Sequence, residues 1–175
     1  MNPRAAALGA LTLIPVAVVA RAEIYMSQDQ AARLIFPGVD LKLRTVFLGD
    51  QQMKTIESKS DEAVRNKNLQ VFVGPQKQAV FIDQVVGKHE FITIGVGIDS
   101  SSKVAGVEII EYRETYGQQV RNEAWRKQFV GKDSHAAIQV GKDIKNISGA
   151  TLSSSHVAAG VRRLLRTYEV LRSTL

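Results

Sequence analysis

The chain contains no cysteine, which excludes disulfides, thiolate metal sites, iron–sulfur ligation and cysteine nucleophiles. It has only three histidines, His89, His135 and His156, and none is spaced i, i+3 or i, i+4 from another. No helix face is therefore expected to present two imidazoles to a metal, and no metal site is predicted. The charge excess is small and the basic residues are scattered, apart from Arg162, Arg163 and Arg166. Nucleic-acid binders concentrate Lys and Arg on one face or tail, so that class of partner is not expected. The one long apolar run, Ala5 to Ala20, is interrupted by Pro15 and falls short of the roughly 20 residues that span a bilayer.

What is present begins with that run. Arg4 precedes it and Ala20-Arg21-Ala22 follows it, the order of a secretory signal peptide with small residues at both positions a signal peptidase reads. Residues 1–22 are read as a signal peptide cleaved before Glu23, which places the mature chain in the periplasm. Residues 23–175 have the size and the apolar content of one domain.

Ser27 to Phe36 carries a cap residue, apolar positions at Ala31, Leu34 and Ile35, and a Pro37-Gly38 stop; a short helix is predicted. A second short helix is predicted to begin at Asp50, with Met53 and Ile56 at helical spacing. From Leu69 to Tyr112 the period changes to two. Four strands joined by short turns predict an antiparallel meander, because parallel neighbours need long crossovers. Gly95 and Gly97 thin one face of the third of these strands, so that another backbone or a flat ligand can come close.

Gln118 to Val130 reads as an amphipathic helix with Val120, Ala124, Trp125 and Phe129 on its stripe. Lys132 to Lys145 reads as a loop with one short strand at Ala136 to Val140. The last helix has its apolar stripe at Val157, Val161, Leu164, Tyr168 and Leu171, and is expected to pack on one sheet face. Arg162, Arg163 and Arg166 fall off that stripe and are assigned to a solvated face, with a docking patch for an acidic partner as the alternative. The fold class is α+β: an antiparallel meander carrying a long C-terminal helix, with short N-terminal helices.

Ser148-Gly149-Ala150-Thr151-Leu152-Ser153-Ser154 stands directly before that helix, with successive hydroxyls ahead of its first turn. Small residues admit close approach, and the free N–H groups of a first helical turn favour a phosphate. The same string is also an ordinary helix cap, since Ser and Thr are preferred there whatever the function. The residues alone leave both readings open.

Ser148-Gly149-Ala150-Thr151 resembles the Ser/Thr-Gly-Ala-Thr signature of the FMN-binding domain family, represented by the C subunit of the sodium-translocating NADH:quinone reductase and the G subunit of ferredoxin:NAD reductase. Glu114-Thr115-Tyr116-Gly117 is similar to the family's upstream Glu-Thr-x-Gly loop. The resemblance covers roughly Gly87 to Tyr168, and the helix ending in Phe36-Pro37-Gly38 is similar to the start of small stand-alone members. It implies FMN as cofactor, joined through its phosphate to the Thr151 hydroxyl by an exported FMN transferase. Ser148, Gly149 and Ala150 would surround the attachment point. Leu152 and the Glu114, Thr115, Tyr116, Gly117 loop would flank the ring, with Tyr116 stacking on it. The family pattern has an aspartate three residues before the Ser/Thr; Lys145 stands there, with Asp143 the nearest carboxylate.

The function so implied is exported electron transfer with a membrane-bound redox partner, with no catalytic acid–base residues of its own. The alternatives are a flavin-dependent reductase of a small periplasmic substrate and a flavin-free regulatory module of the same fold.

Overall fold

The computed structural model describes residues 23–175; the signal-peptide reading concerns residues 1–22 and lies outside them. Ser27 caps helix α1 (Gln28–Ile35) in a reciprocal capping box with Gln30. Helix α2 (Asp50–Ser60) starts after Gly49, whose N–H is bonded by the Gln52 side chain, and stops where Asp61 turns left-handed. Strands β3 (Asn68–Val73), β4 (Ala79–Val86), β5 (Phe91–Ile98) and β6 (Val104–Tyr112) form the expected antiparallel meander.

Two further strands complete the sheet. β1 (Glu23–Ile24) pairs with β6, β2 (Lys42–Phe47) pairs with β3, and the spatial order is β1-β6-β5-β4-β3-β2. β2 is largely exposed at the sheet edge, so Lys42-Leu43-Arg44-Thr45 shows no buried alternation that would mark it.

The long helix α4 (Thr151–Leu171) lies on one face, against β4 and β5, with α2 packed beside it. All five residues of its apolar stripe are buried. Helix α1 covers part of the opposite face, over β4, β5 and β6. The thin face of β5 is what admits it: a Cβ on Gly97 would collide with Ile35, and one on Gly95 would already touch Ala31. The partner at those glycines is thus a helix. Among the described residues, no helix is long and apolar enough to cross a membrane.

Three expectations are corrected. Residues 118–130 do not form one helix. Asn122 adopts an extended ψ of 121°, and its side chain accepts the Trp125 N–H. A 3-10 turn (Gln118–Arg121) therefore ends there, and a short α3 (Glu123–Arg126) restarts, followed by a second 3-10 turn (Lys127–Phe129). Val120, Trp125 and Phe129 are buried all the same, while Ala124 is exposed. Residues 136–140 form no strand, because the N–H groups of Ile138 and Gln139 are bonded to the Asp143 carboxylate; only an isolated Val140–Ile144 bridge remains.

The three arginines of α4 do not form a solvated face. Arg163 is 5% exposed and pairs with Asp83 at 2.6 Å. Arg162 binds Glu62 and the carbonyls of Ser60 and Ile138, and Arg166 binds Glu169 and the Ser134 carbonyl. They fasten the end of α2 with the turn after it, residues 60–63, and the irregular segment 134–138 to the helix.

Candidate functional site

The N-terminus of α4 is uncapped. Ala150 occupies the cap position and contributes no side-chain bond, after Gly149 at a φ of 79°. The first intrahelical bond runs from Ser154 N–H to the Ala150 carbonyl at 2.8 Å. The N–H groups of Thr151, Leu152 and Ser153 precede it and bond to nothing among the described residues. A 21-residue helix thus directs its positive dipole end and three free donors at one surface. Neither Ser148 nor Thr151 caps the helix, so the cap reading of the Ser-Gly-Ala-Thr string does not hold, and both side chains are exposed. The Thr151 hydroxyl oxygen accepts from Asn146 Nδ2 at 3.3 Å.

The Glu114–Gly117 loop is pressed against this turn. Tyr112 is buried, donates its hydroxyl proton to the Tyr116 carbonyl and accepts from Ser153 Oγ at 3.0 Å. Burial, only partly offset by the Ser153 bond, pushes the Tyr112 hydroxyl above the ordinary phenol range. Gly117 sits between the two elements at a φ of 98°; a Cβ there would lie 2.7 Å from Ser153 Oγ and collide with the Tyr112 hydroxyl. With Gly117 against Ser153, their chain neighbours Tyr116 and Leu152 project outward, 82% and 49% exposed. Thr115 is exposed beside them.

Glu114 turns away from this surface. Its carboxylate accepts the N–H groups of His89 and of Glu90, the latter at 2.9 Å, and closes the turn between β4 and β5. Desolvation opposes its charge, but the backbone donors of Glu90, His89 and Lys88 outweigh it and hold the carboxyl below its usual range. His156 of α4 reaches the same turn, donating Nδ1–H to the Gly87 carbonyl at 3.0 Å. Three segments separated in sequence, 87–90, 114–117 and 148–156, are thereby joined at one end of the sheet.

A scan against protein-family models matches residues 87–166 to the FMN-binding domain. The match opens at the turn Glu114 closes and runs through the signature into α4. Residues 87–166 are an FMN-binding domain. FMN is its cofactor. A search of the curated proteins finds no match to this chain.

The residues present fit FMN. Its phosphate is suited by the free first-turn donors of α4 and the exposed Thr151 hydroxyl, and its ring by the exposed apolar side chains of Tyr116 and Leu152. Thr151, Ser148, Gly149, Ala150 and Leu152 lie at that helix end; Thr115, Tyr116 and Gly117 lie alongside, and Glu114 supports the loop through its turn contacts.

The sequence reading missed Asn146 and His156, and it included Ser153 and Ser154 in the string before α4 without their contacts. Asn146 touches Thr151, and fully buried Ser154 shares its one hydroxyl proton between the Thr151 carbonyl at 3.0 Å and Asn146 Oδ1 at 3.3 Å. Ser153 joins the loop to the helix, and His156 joins the helix to the turn. An amide directly upstream of a small-residue string was the one available signal. Trp125 gave none for this role: its Nε1–H donates to the Lys145 carbonyl at 2.8 Å while Gln128 accepts the Lys145 N–H at 2.9 Å. Beside this clamp lies a cavity of about 480 Å³ lined by Trp125, Gln128, Lys145 and Asn146.

Asp143 does not take the place of an aspartate at position 145. Its carboxylate is occupied by the N–H groups of Ile138 and Gln139 and by the Lys132 ammonium at 3.0 Å. Against the opposing effect of burial, the Gln139 bond, Lys132 and the Ile138 bond keep it below its usual range.

Proposed function

We propose that this flavin-binding protein is an exported electron carrier, with FMN phosphoester-linked to Thr151, that exchanges electrons with a membrane-bound redox partner. The observation that carries it is the exposed Thr151 hydroxyl at an uncapped helix N-terminus inside an FMN-binding domain. When bound, FMN supplies the redox chemistry of its ring.

The chain's own residues supply the rest. The first turn of α4 offers N–H donors to the phosphate, and Thr151 Oγ1 offers the atom through which an FMN transferase would attach it: as the Oγ–phosphorus bond formed, the P–O bond to the leaving group of an activated flavin donor would break and the hydroxyl proton would be lost. Tyr116 and Leu152 provide apolar surface for the ring. An ester at the phosphate keeps the cofactor from being lost outside the cell and leaves the ring free.

Transfer by an open edge is favoured over reduction of a small substrate within the site. Tyr116 and Thr151 stand on the surface, where a partner can approach. The two carboxylates flanking the signature, Glu114 and Asp143, are held ionised by backbone donors, which suits neither to deliver a proton. The export half of the reading is supported by the residue order of 1–22.

Purified yellow protein mixed with membranes and a respiratory electron donor should show its flavin absorbance bleach, and little bleaching without the membranes. Rapid turnover of a small soluble acceptor with no membrane present would favour the reductase reading. The N-terminal residue of the periplasmic form should be Glu23; an intact Met1 chain held in the membrane would overturn export with cleavage.

A further inference from the structure

The segment ahead of the signature is built with more care than a connecting loop needs. The Lys145 backbone is gripped on both sides, by Trp125 at its carbonyl and by Gln128 at its N–H. The next residue, Asn146, is held in turn by Ser154, a hydroxyl with no exposed surface. So fixed, Asn146 donates its amide N–H to Thr151 Oγ1. Thr151 Oγ1 accepts there and donates to no carbonyl among the described residues, so its own proton is left for a ligand. The Lys145 side chain is exposed and joins no ion pair among the described residues.

We propose that Lys145 and Asn146 form the phosphate side of the flavin site: the Lys145 ammonium is the counter-charge, and Asn146 is a positioning residue that makes Thr151 a hydrogen-bond donor toward the phosphate. This rests on the flavin reading above. The class of ligand selected is a flavin bearing a terminal phosphate, and the free donors of the α4 first turn act on the same group. The charge acts on the phosphate alone, so the pair discriminates between FMN and riboflavin, which share a ring and ribityl chain.

The test uses full-length protein made without the FMN transferase, titrated with FMN and with riboflavin while flavin fluorescence is followed. Wild type should bind FMN at least about tenfold more tightly than riboflavin, and less so as salt is raised. Lys145→Met should lose about tenfold for FMN, leave riboflavin unchanged and flatten the salt dependence. Asn146→Ala should weaken FMN about threefold in the native background and have no further effect in Thr151→Ala, because it acts through that hydroxyl. A Lys145→Met protein whose preference for FMN over riboflavin and whose salt dependence both equal those of wild type would overturn this proposal alone. Equal losses for FMN and riboflavin in the variants would also overturn it, pointing to loop damage. Binding of neither flavin by wild type would overturn the flavin reading and this one with it.

Discussion

The two ends of helix α4 treat their polar groups in opposite ways. Over its second half, every arginine is committed: Arg163 pairs with Asp83 of β4, and Arg162 and Arg166 bond to groups that include the Glu62 carboxylate and the Ile138 and Ser134 carbonyls of segments with no regular structure of their own. In its first turn no side chain caps the backbone, three N–H groups are free, and Thr151 and Leu152 face outward. Cap residues are worth about 1 kcal/mol, so a 21-residue helix that does without one gives up stability at the place where its dipole can act on a ligand. The committed side chains thus lie at one end of the helix and the uncommitted backbone donors at the other.

The strongest way to break this division is at the committed end. Arg163→Ala leaves Asp83 charged, mostly buried and unpaired, and should cost about 3–5 kcal/mol in urea unfolding. Replacing both partners by apolar residues should recover much of that loss. Neither change should alter which residue holds the flavin.

Where the two regimes meet, Gly117→Ala should cost about 1–3 kcal/mol, since its φ is left-handed and the added Cβ runs into Tyr112 and Ser153. The loop would also be pushed off α4, so flavin loading should fall along with thermal stability.

Acid should loosen the loops of the site. Glu114 and Asp143 both have folded-state values below their ordinary ones, so each contributes stability that is full above the unfolded value near roughly 4 and is lost as pH falls through the lower folded value. Lower protection factors for amide exchange of His89, Glu90, Ile138 and Gln139 at low pH, each taken relative to its intrinsic rate at that pH, should report it. Glu114→Gln should remove most of the pH response at His89 and Glu90 and leave Ile138 and Gln139 unaffected. The smallest effect on the fold is expected at the binding end: Thr151→Ala should cost about 1 kcal/mol or less, because the hydroxyl caps nothing.

Much of the architecture was legible because it is written in periodicity. The alternation from Leu69 to Tyr112 and the stripe from Val157 to Leu171 each bury one face, and burial is what such patterns encode. β2 was not legible, since an edge strand exposed on both faces has no apolar pattern to show. The interruption at Asn122 was masked by Val120, Trp125 and Phe129, which are buried through a 3-10 and α mixture much as they would be on one helix. The arginines misled because a charge off the apolar stripe usually faces water, and only tertiary structure brings Asp83 and the 134–138 segment to them. At the site, the signature and the Glu-Thr-Tyr-Gly loop were visible as short strings. Their support was not, because Tyr112, His156 and Trp125 act across 41, 69 and 20 residues of sequence.

The central claim is that the uncapped end of α4 holds FMN through Thr151, and the intact mass of denatured protein tests it most directly. Wild type and Thr151→Ala would be produced in cells that export the chain and contain the FMN transferase. The account predicts a wild-type mass exceeding the mature chain by one FMN less water, and no increment in Thr151→Ala. A wild-type mass without the increment, or a variant that keeps it, would contradict the covalent assignment.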